Sequence, residues 1–236
     1  MYSMQYGRAF GFMTDEPGWL GKFIIAAFIP LVPVVGPLLI LGYGFEITRR
    51  VIKNETPVLP EWSDFGDYLK KGFLTAVVWT AYLLPFAIIV ACLNAPAAIL
   101  MQSRDGSQAL TGETLALCGS CLVMLVLVFA SLLIPAALGH FAARGSLGSA
   151  FQLGDLAVLI RTKPAVYLVS ALLLGLLALV LLPIGFLLCV IGMFVGAAFV
   201  NIAAAHLFGQ AYRVAASEAG LIPAPASAAT PVPQNL

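Results

Sequence analysis

Residues Pro164 to Tyr212 read PAVYLVSALLLGLLALVLLPIGFLLCVIGMFVGAAFVNIAAAHLFGQAY, 49 residues between Lys163 and Arg213 without one Asp, Glu, Lys or Arg. A single helix of that length would measure about 74 Å at ~1.5 Å per residue. The hydrocarbon core of a bilayer is about 30 Å thick and is spanned by ~20 residues. The run is therefore about twice too long for one crossing. Pro183-Ile184-Gly185 punctuates it, which predicts two transmembrane helices, 165–182 and 186–208, joined by a tight turn at Pro183–Gly185.

The rest of the chain has the same character. Of 236 residues, 61% are apolar and 10% charged, against about 25% charged in soluble domains, and the mean hydropathy is +1.00. There are too few charges to coat a soluble core. The net charge of +1 gives no pull toward nucleic acid, and the bilayer is the one partner implied directly. No short apolar core follows a basic start, so no cleavable signal peptide is expected.

Upstream, the uncharged run 23–45 is broken by Pro30, Pro33, Gly36 and Pro37. Each proline removes an amide donor and blocks a continuous helix. Two arrangements fit: one kinked span, or a re-entrant pair of half-helices turning near Pro33–Pro37. The length suffices for one crossing but not two. Two further spans are expected at 72–93 and 114–138, with kinks at Pro85 and Pro135.

Charge placement bears on the choice. Five basic residues, Arg49, Arg50, Lys53, Lys70 and Lys71, lie between the first two apolar segments, and Arg144, Arg161 and Lys163 lie before the terminal hairpin. Segment 94–113 holds only Arg104. The positive-inside rule places the first two links in the cytoplasm and 94–113 outside. A re-entrant 23–45 also brings Arg8 and Lys22 inside, leaving eleven of the twelve basic residues cytoplasmic. This favours re-entrance.

Three polar segments are expected at the membrane surface. Tyr2 to Met13 sets Tyr2, Tyr6 and Phe10 at i, i+4, i+8 and predicts a short interfacial helix. Trp62, Phe65 and Tyr68 at i, i+3, i+6 predict another, and Ser146–Arg161 a third. The surface segments ending at Asp15-Glu16-Pro17 and Thr162-Lys163-Pro164 each precede a broken apolar run, the outline of an internal repeat. Residues 1–220 form one membrane domain, and the Pro/Ala-rich tail 221–236 is expected to be disordered. The fold class is all-α: a polytopic transmembrane bundle of four full spans plus a broken or re-entrant first segment, with interfacial amphipathic helices.

Asp15-Glu16-Pro17 with Trp19, Gly42-Tyr43 with Arg49, Leu59-Pro60-Glu61-Trp62 with Asp64, then Gly72 and a terminal Gly209-Gln210-Ala211-Tyr212-Arg213 together resemble a domain-of-unknown-function family of small polytopic membrane proteins in prokaryotes. The resemblance runs over about residues 5–215. It implies an architecture and a prokaryotic plasma membrane, and it brings no activity or catalytic residues with it.

Few residues offer chemistry. Cys118-Gly119-Ser120-Cys121 is the one CxxC, and with Cys92 and Cys189 it falls toward the outer leaflet; small apolar residues packed between helices are the plainer reading. Asn201 and His206 are the polar residues of the last span, with Gln210 one turn beyond. Intramembrane polar groups of this kind face a cavity or a neighbouring helix. Glu46 is placed to pair with Arg49 or Arg50 along a helix. Gly192-Met193-Phe194-Val195-Gly196 is a GxxxG whose small residues permit close packing, within one chain or between two. No HExxH, P-loop, GxGxxG or GxSxG motif is present, and no cofactor is called for. The sequence thus predicts a non-enzymatic structural, assembly or accessory component with a membrane-protein partner or a second copy of itself. The rival is a small transporter or channel built on the broken segment at Pro30–Pro37.

Overall fold

A computed structural model describes residues 2–187 and 191–222; Cys189 and the tail from residue 223 onward lie outside the described residues. Eight α-helices follow in order: α1 Arg8–Gly11, α2 Trp19–Phe28, α3 Val35–Lys53, α4 Phe65–Met101, α5 Gly106–Arg144, α6 Leu153–Thr162, α7 Pro164–Leu187 and α8 Ile191–Glu218, with 3-10 turns at Ile29–Leu31 and Leu147–Phe151. The described chain has no strands, and four helices, α4, α5, α7 and α8, are long and apolar enough to cross a membrane.

The helices form two hairpins, α4 with α5 and α7 with α8, with α3 wedged between them against α4 and α8. The core lies at one end, here the basal end. There α5 buries Ile134 to Ala142, α7 buries Val166 and Tyr167, and α8 buries most of Ile202 to Ala216. Toward the other, distal end, side chains such as Leu117, Met124, Leu176 and Leu187 are more than half exposed. Exposed leucine stabilises a helix in lipid and would not in water. At ~1.5 Å per residue, α4 and α5 run about 55–58 Å and α7 about 36 Å, so the first hairpin reaches farther.

Two expected boundaries move. The α4–α5 turn is Gln102–Asp105, not a polar link over 94–113, because the Ala-rich stretch from Asn94 continues α4 by two turns. Asp105 then caps α5, its carboxylate accepting from the Ser107 amide, as a short acidic side chain does for orphan amides at a helix start. Likewise α7 continues through Pro183 and Gly185 to Leu187, so the turn is not at Pro183–Gly185. A proline inside an apolar helix is tolerated where neighbours satisfy the freed carbonyl. Gly185 instead packs against α8: a methyl carbon there would lie 2.5 Å from the Gly192 carbonyl oxygen. Gly196 faces Leu181, so the GxxxG serves packing within the chain.

The first apolar segment is broken as expected, and it folds back. Lys22 near the start of α2 and Tyr43 well along α3 both meet the 58–62 loop: Lys22 Nζ donates to the Leu59 carbonyl (2.9 Å), and the Tyr43 ring stacks on Trp62 (4.2 Å). Two points twenty-one residues apart therefore share one end of the bundle, with the Ile29–Val34 turn between them. Gly36 permits the tightness, since a Cβ there would lie 2.0 Å from the Ile29 carbonyl oxygen. The turn closes its own hydrogen bonds: the amides of Val32, Val35 and Gly36 donate to Ile29, Pro33 and Val32. Pro30, Pro33 and Pro37 have no amide to satisfy. Ala26 and Ala27 of α2 and Leu39 of α3 pack against Ala198 and Ile202 of α8, but the tip, from Leu31 to Val35, is exposed. The tip is thus not buried under other helices; its internal hydrogen bonds take the place of that cover.

Val34 at the tip has φ +66° and ψ −54°, the positive-φ centre of a γ-turn closed by the Val35 amide on the Pro33 carbonyl, where a β-branched residue is strained by about 1–3 kcal/mol. Its side chain is 76% exposed, so little packing depends on it. Val34→Gly is expected to raise stability by ~1 kcal/mol, the relieved strain less the glycine's extra chain entropy. Thermal unfolding in detergent checks this.

Two predicted surface helices are absent. Only Arg8–Gly11 of the N-terminal segment is helical. Gly7 and Gly11 weaken a helix there, and Gln5 ties the segment to α8 through the Gln210 side chain. It straps across α8, with Ala9 against Ala203 and Leu207. Trp62 precedes α4 instead of opening a separate helix, because its ring is drawn onto Tyr43. The third segment is α6, with Leu156 and Leu159 buried in the core. The outlined repeat does not extend to shape, since α2 has 10 residues where α7 has 24.

Candidate functional site

The sequence-predicted residues fall into five places. Pro30, Pro33, Gly36 and Pro37 build the turn. Glu46, Arg49 and Trp62 belong to a polar clasp at the basal end. His206 and Gln210 lie under the N-terminal strap, and Asn201 lines a cavity. Asp64 stands apart and exposed, where its carboxylate accepts from the Asp67 amide to cap α4.

The clasp begins with two glycines. A Cβ on Gly42 would lie 1.9 Å from the Tyr68 carbonyl oxygen, and one on Gly72 1.8 Å from that of Leu38. The backbones of α3 and α4 therefore touch at Gly42 and Gly72, which small residues alone allow. One turn beyond, the contact brings Lys71 of α4 to Glu46 of α3. Glu46 is 4% exposed and accepts from Arg49 Nη2 (2.6 Å), Lys71 Nζ (2.7 Å) and Arg50 Nε (3.1 Å). Arg49 is shared with Glu55 (3.1 Å), and Lys71 with Asp67. Burial pushes the Glu46 carboxyl up, but hydrogen bonds from Arg49 and Lys71 outweigh it and hold its pKa down at about 2.

The 54–64 loop completes the clasp. The Tyr43 hydroxyl donates to the Pro60 carbonyl (3.2 Å), and Trp62 Nε1 to that of Lys22 (3.0 Å). Lys22, 7% exposed, pairs with Glu61 (2.8 Å), and the Glu16 carboxylate accepts from the amides of Val58 and Leu59. Lys22, Glu16 and Lys71 are absent from the candidate site residues of the sequence, where they figure only in a motif and in the charge distribution. Lys22 and Glu16 reach the 58–61 loop, 37 to 43 residues away, and Lys71 reaches Glu46, 25 residues away, beyond any helical periodicity.

Under the strap, the buried His206 ring stacks on Phe12 (4.2 Å) and meets Gln210 Nε2 (3.0 Å). A second cluster joins α5, α6 and α8: His140, fully buried, contacts the Tyr212 hydroxyl (3.0 Å), Gln152 (3.1 Å) and Asp155 (3.3 Å). It is not a nucleophile–base pair, because the nearby Ser149 hydroxyl donates to the backbone carbonyls of Ser146 and His140.

Behind the clasp, α3, α4, α5, α7 and α8 line a half-open cavity of about 330 Å³. Phe45, Trp79, Leu138 and Phe208 form much of its wall, and Thr75 and Asn201 also line it. Cys92, Cys118 and Cys121 are free and exposed on α4 and α5, not packed between helices. The α4–α5 contact is made instead by Gly112 and Gly119, the latter against Asn94. Replacing Cys118 and Cys121 together by alanine is expected to shift stability by less than about 0.5 kcal/mol, as for surface changes generally; detergent melting curves check it.

Comparison with known proteins now gives the lineage. The model of a family described as a protein of unknown function (DUF4013) matches residues 25–190. The chain belongs to the DUF4013 family. The matched range runs from the middle of α2 to the end of the α7 region, so it holds the re-entrant turn, the Gly42–Gly72 contact and the Glu46 cluster. The Asp15-Glu16-Pro17 and Gly209–Arg213 motifs fall outside it. No curated protein and no solved structure matches the chain. DUF4013 membership brings no activity with it; the membrane character of the chain rests on its four long apolar helices.

Proposed function

We propose that this protein is a non-enzymatic accessory or assembly component of a prokaryotic plasma membrane, with the α4–α5 turn extracytoplasmic. One observation carries this reading: the polar side chains best suited to chemistry are consumed by partners within the chain. Glu46 has three cations, His206 is held by Phe12 and Gln210, and His140 is held by Tyr212, Gln152 and Asp155. Such groups set a shape; a general acid or base needs a free face toward substrate. The distribution of Lys and Arg supports the orientation.

The rival reading, a transporter or channel, draws on the broken segment, since discontinuous helices can present backbone groups to a substrate. Here the amides of Val32, Val35 and Gly36 donate within the turn, and its tip is exposed at the bundle surface. That favours a structural wedge. The test is purification of the tagged protein from its own membranes in mild detergent, alongside flux measurements in liposomes of pure protein. A partner, or a second copy, held in fixed stoichiometry without solute flux is expected. Substrate-dependent flux or turnover by the pure protein would overturn the proposal.

A further inference from the structure

Most buried polar atoms in this fold are satisfied, which makes the exceptions informative. Thr75 Oγ1 and Asn201 Oδ1 are both buried without a hydrogen-bond partner, and both residues line the same cavity. Thr75 is 3% exposed. A threonine in a helix ordinarily bonds back to a carbonyl of the preceding turn. Thr48, on the same cavity wall, does so, donating to the carbonyls of Gly44 and Ala205, and Thr75 does not. Leaving such a group unpaired costs about 1–3 kcal/mol. Two of them in one apolar chamber mark a place where something else supplies the partners.

The chamber's chemistry narrows the occupant. Among the described residues lining it none is ionisable, so a charged headgroup would find no counter-charge. Its volume of about 330 Å³ lies in the range of small-molecule sites, ~300–1,000 Å³. Leu182 and Ala197 on its rim are exposed on the outer surface of the bundle, which gives access from the lipid. The two side chains are complementary in kind: Thr75 Oγ–H can donate to a ligand hydroxyl and Asn201 Oδ1 can accept from one.

We propose that the cavity between α3, α4, α5, α7 and α8 binds a neutral lipid bearing a free hydroxyl, with its hydrocarbon along Phe45, Trp79, Leu138 and Phe208 and its hydroxyl between Thr75 and Asn201. This site is independent of the accessory role proposed above, since a partner-binding protein and a transporter could each hold it.

The test is photocrosslinking of the whole protein in phosphatidylcholine nanodiscs, using a diazirine-bearing diacylglycerol in one arm and a diazirine-bearing phosphatidylcholine in the other. The diacylglycerol probe is expected to label peptides from 197–208 and to be displaced by unlabelled diacylglycerol but not by triacylglycerol, which lacks the hydroxyl. Thr75→Val and Asn201→Leu are expected to lower this labelling about fivefold each, the worth of one hydrogen bond. Both variants remove an unsatisfied buried polar atom, so they are expected to fold. Ala204→Leu narrows the chamber without touching the polar pair and is expected to lower labelling as well. The phosphatidylcholine probe is expected to mark exposed α4 and α5 surfaces equally in all variants. Equal cavity labelling by both probes, labelling that survives the Thr75 and Asn201 changes, or none in the cavity would overturn the proposal.

Discussion

Gly42→Leu and Gly72→Leu are each expected to leave no folded protein in detergent. The position of the missing side chain is occupied by backbone: an added Cβ would meet a carbonyl oxygen of the facing helix at 1.9 Å in one case and 1.8 Å in the other. Backbone cannot turn aside as a flexible side chain can, so α3 and α4 would have to separate. Separation would pull Lys71 from Glu46 and remove Tyr68 from beside Tyr43 and Trp62. The combined loss exceeds about 4–5 kcal/mol, the upper end of single-substitution effects, within a total stability of about 5–15 kcal/mol. Gly7→Leu is the control, because nothing lies within 4 Å of a Cβ there. A monodisperse, cooperatively melting Gly42→Leu protein would show that the helices do not touch there.

The second large effect is at Glu46. Glu46→Gln leaves Arg49, Arg50 and Lys71 facing one another without the anion that gathers them. Removing one partner of a fully buried pair costs about 3–5 kcal/mol. The three cations here are 22–25% exposed and can turn partly to water, so about 2–3 kcal/mol is expected. The same group sets a pH dependence. Its folded pKa, about 2, lies below the ordinary 4.5, so its contribution is complete above about pH 4.5 and is lost as pH falls toward 2. Melting temperatures of wild type and Glu46→Gln, well separated at pH 7, should converge in that interval. A constant gap across it would mean that the Glu46 charge is not what stabilises the clasp.

Different physics explains what could be read from the chain and what could not. The four long helices follow from uncharged runs, because burying a charge in hydrocarbon costs more than any local preference offers. Their ends follow from subtler balances. At Asn94–Met101 helix-forming alanines extend α4 past the hydrophobic run, and at Pro183 an apolar helix tolerates its proline. The local half of the Glu46 cluster was legible, since Arg49 and Arg50 lie one turn away; Lys71 was not, since the Gly42–Gly72 contact that delivers it is tertiary. Asn201 stood out as a polar residue in an apolar helix, but Thr75 looked ordinary, and only its missing partner in the folded chain distinguishes it. The N-terminal strap shows the converse: its helical periodicity is real, yet two glycines and a hydrogen bond to Gln210 outweigh it.

The folding back of segment 23–45 wedges α3 between the hairpins and brings Lys22 and Tyr43 to one end. Cysteines placed singly at Ser3, Ser63 and Ser107, with the native cysteines replaced by alanine, report this through a membrane-impermeant maleimide on intact cells and inverted vesicles. Folding back predicts that Ser3 and Ser63 label together in inverted vesicles and Ser107 alone in intact cells. Labelling of Ser3 with Ser107 in intact cells, and of Ser63 only in inverted vesicles, would make the segment a single crossing and contradict the account.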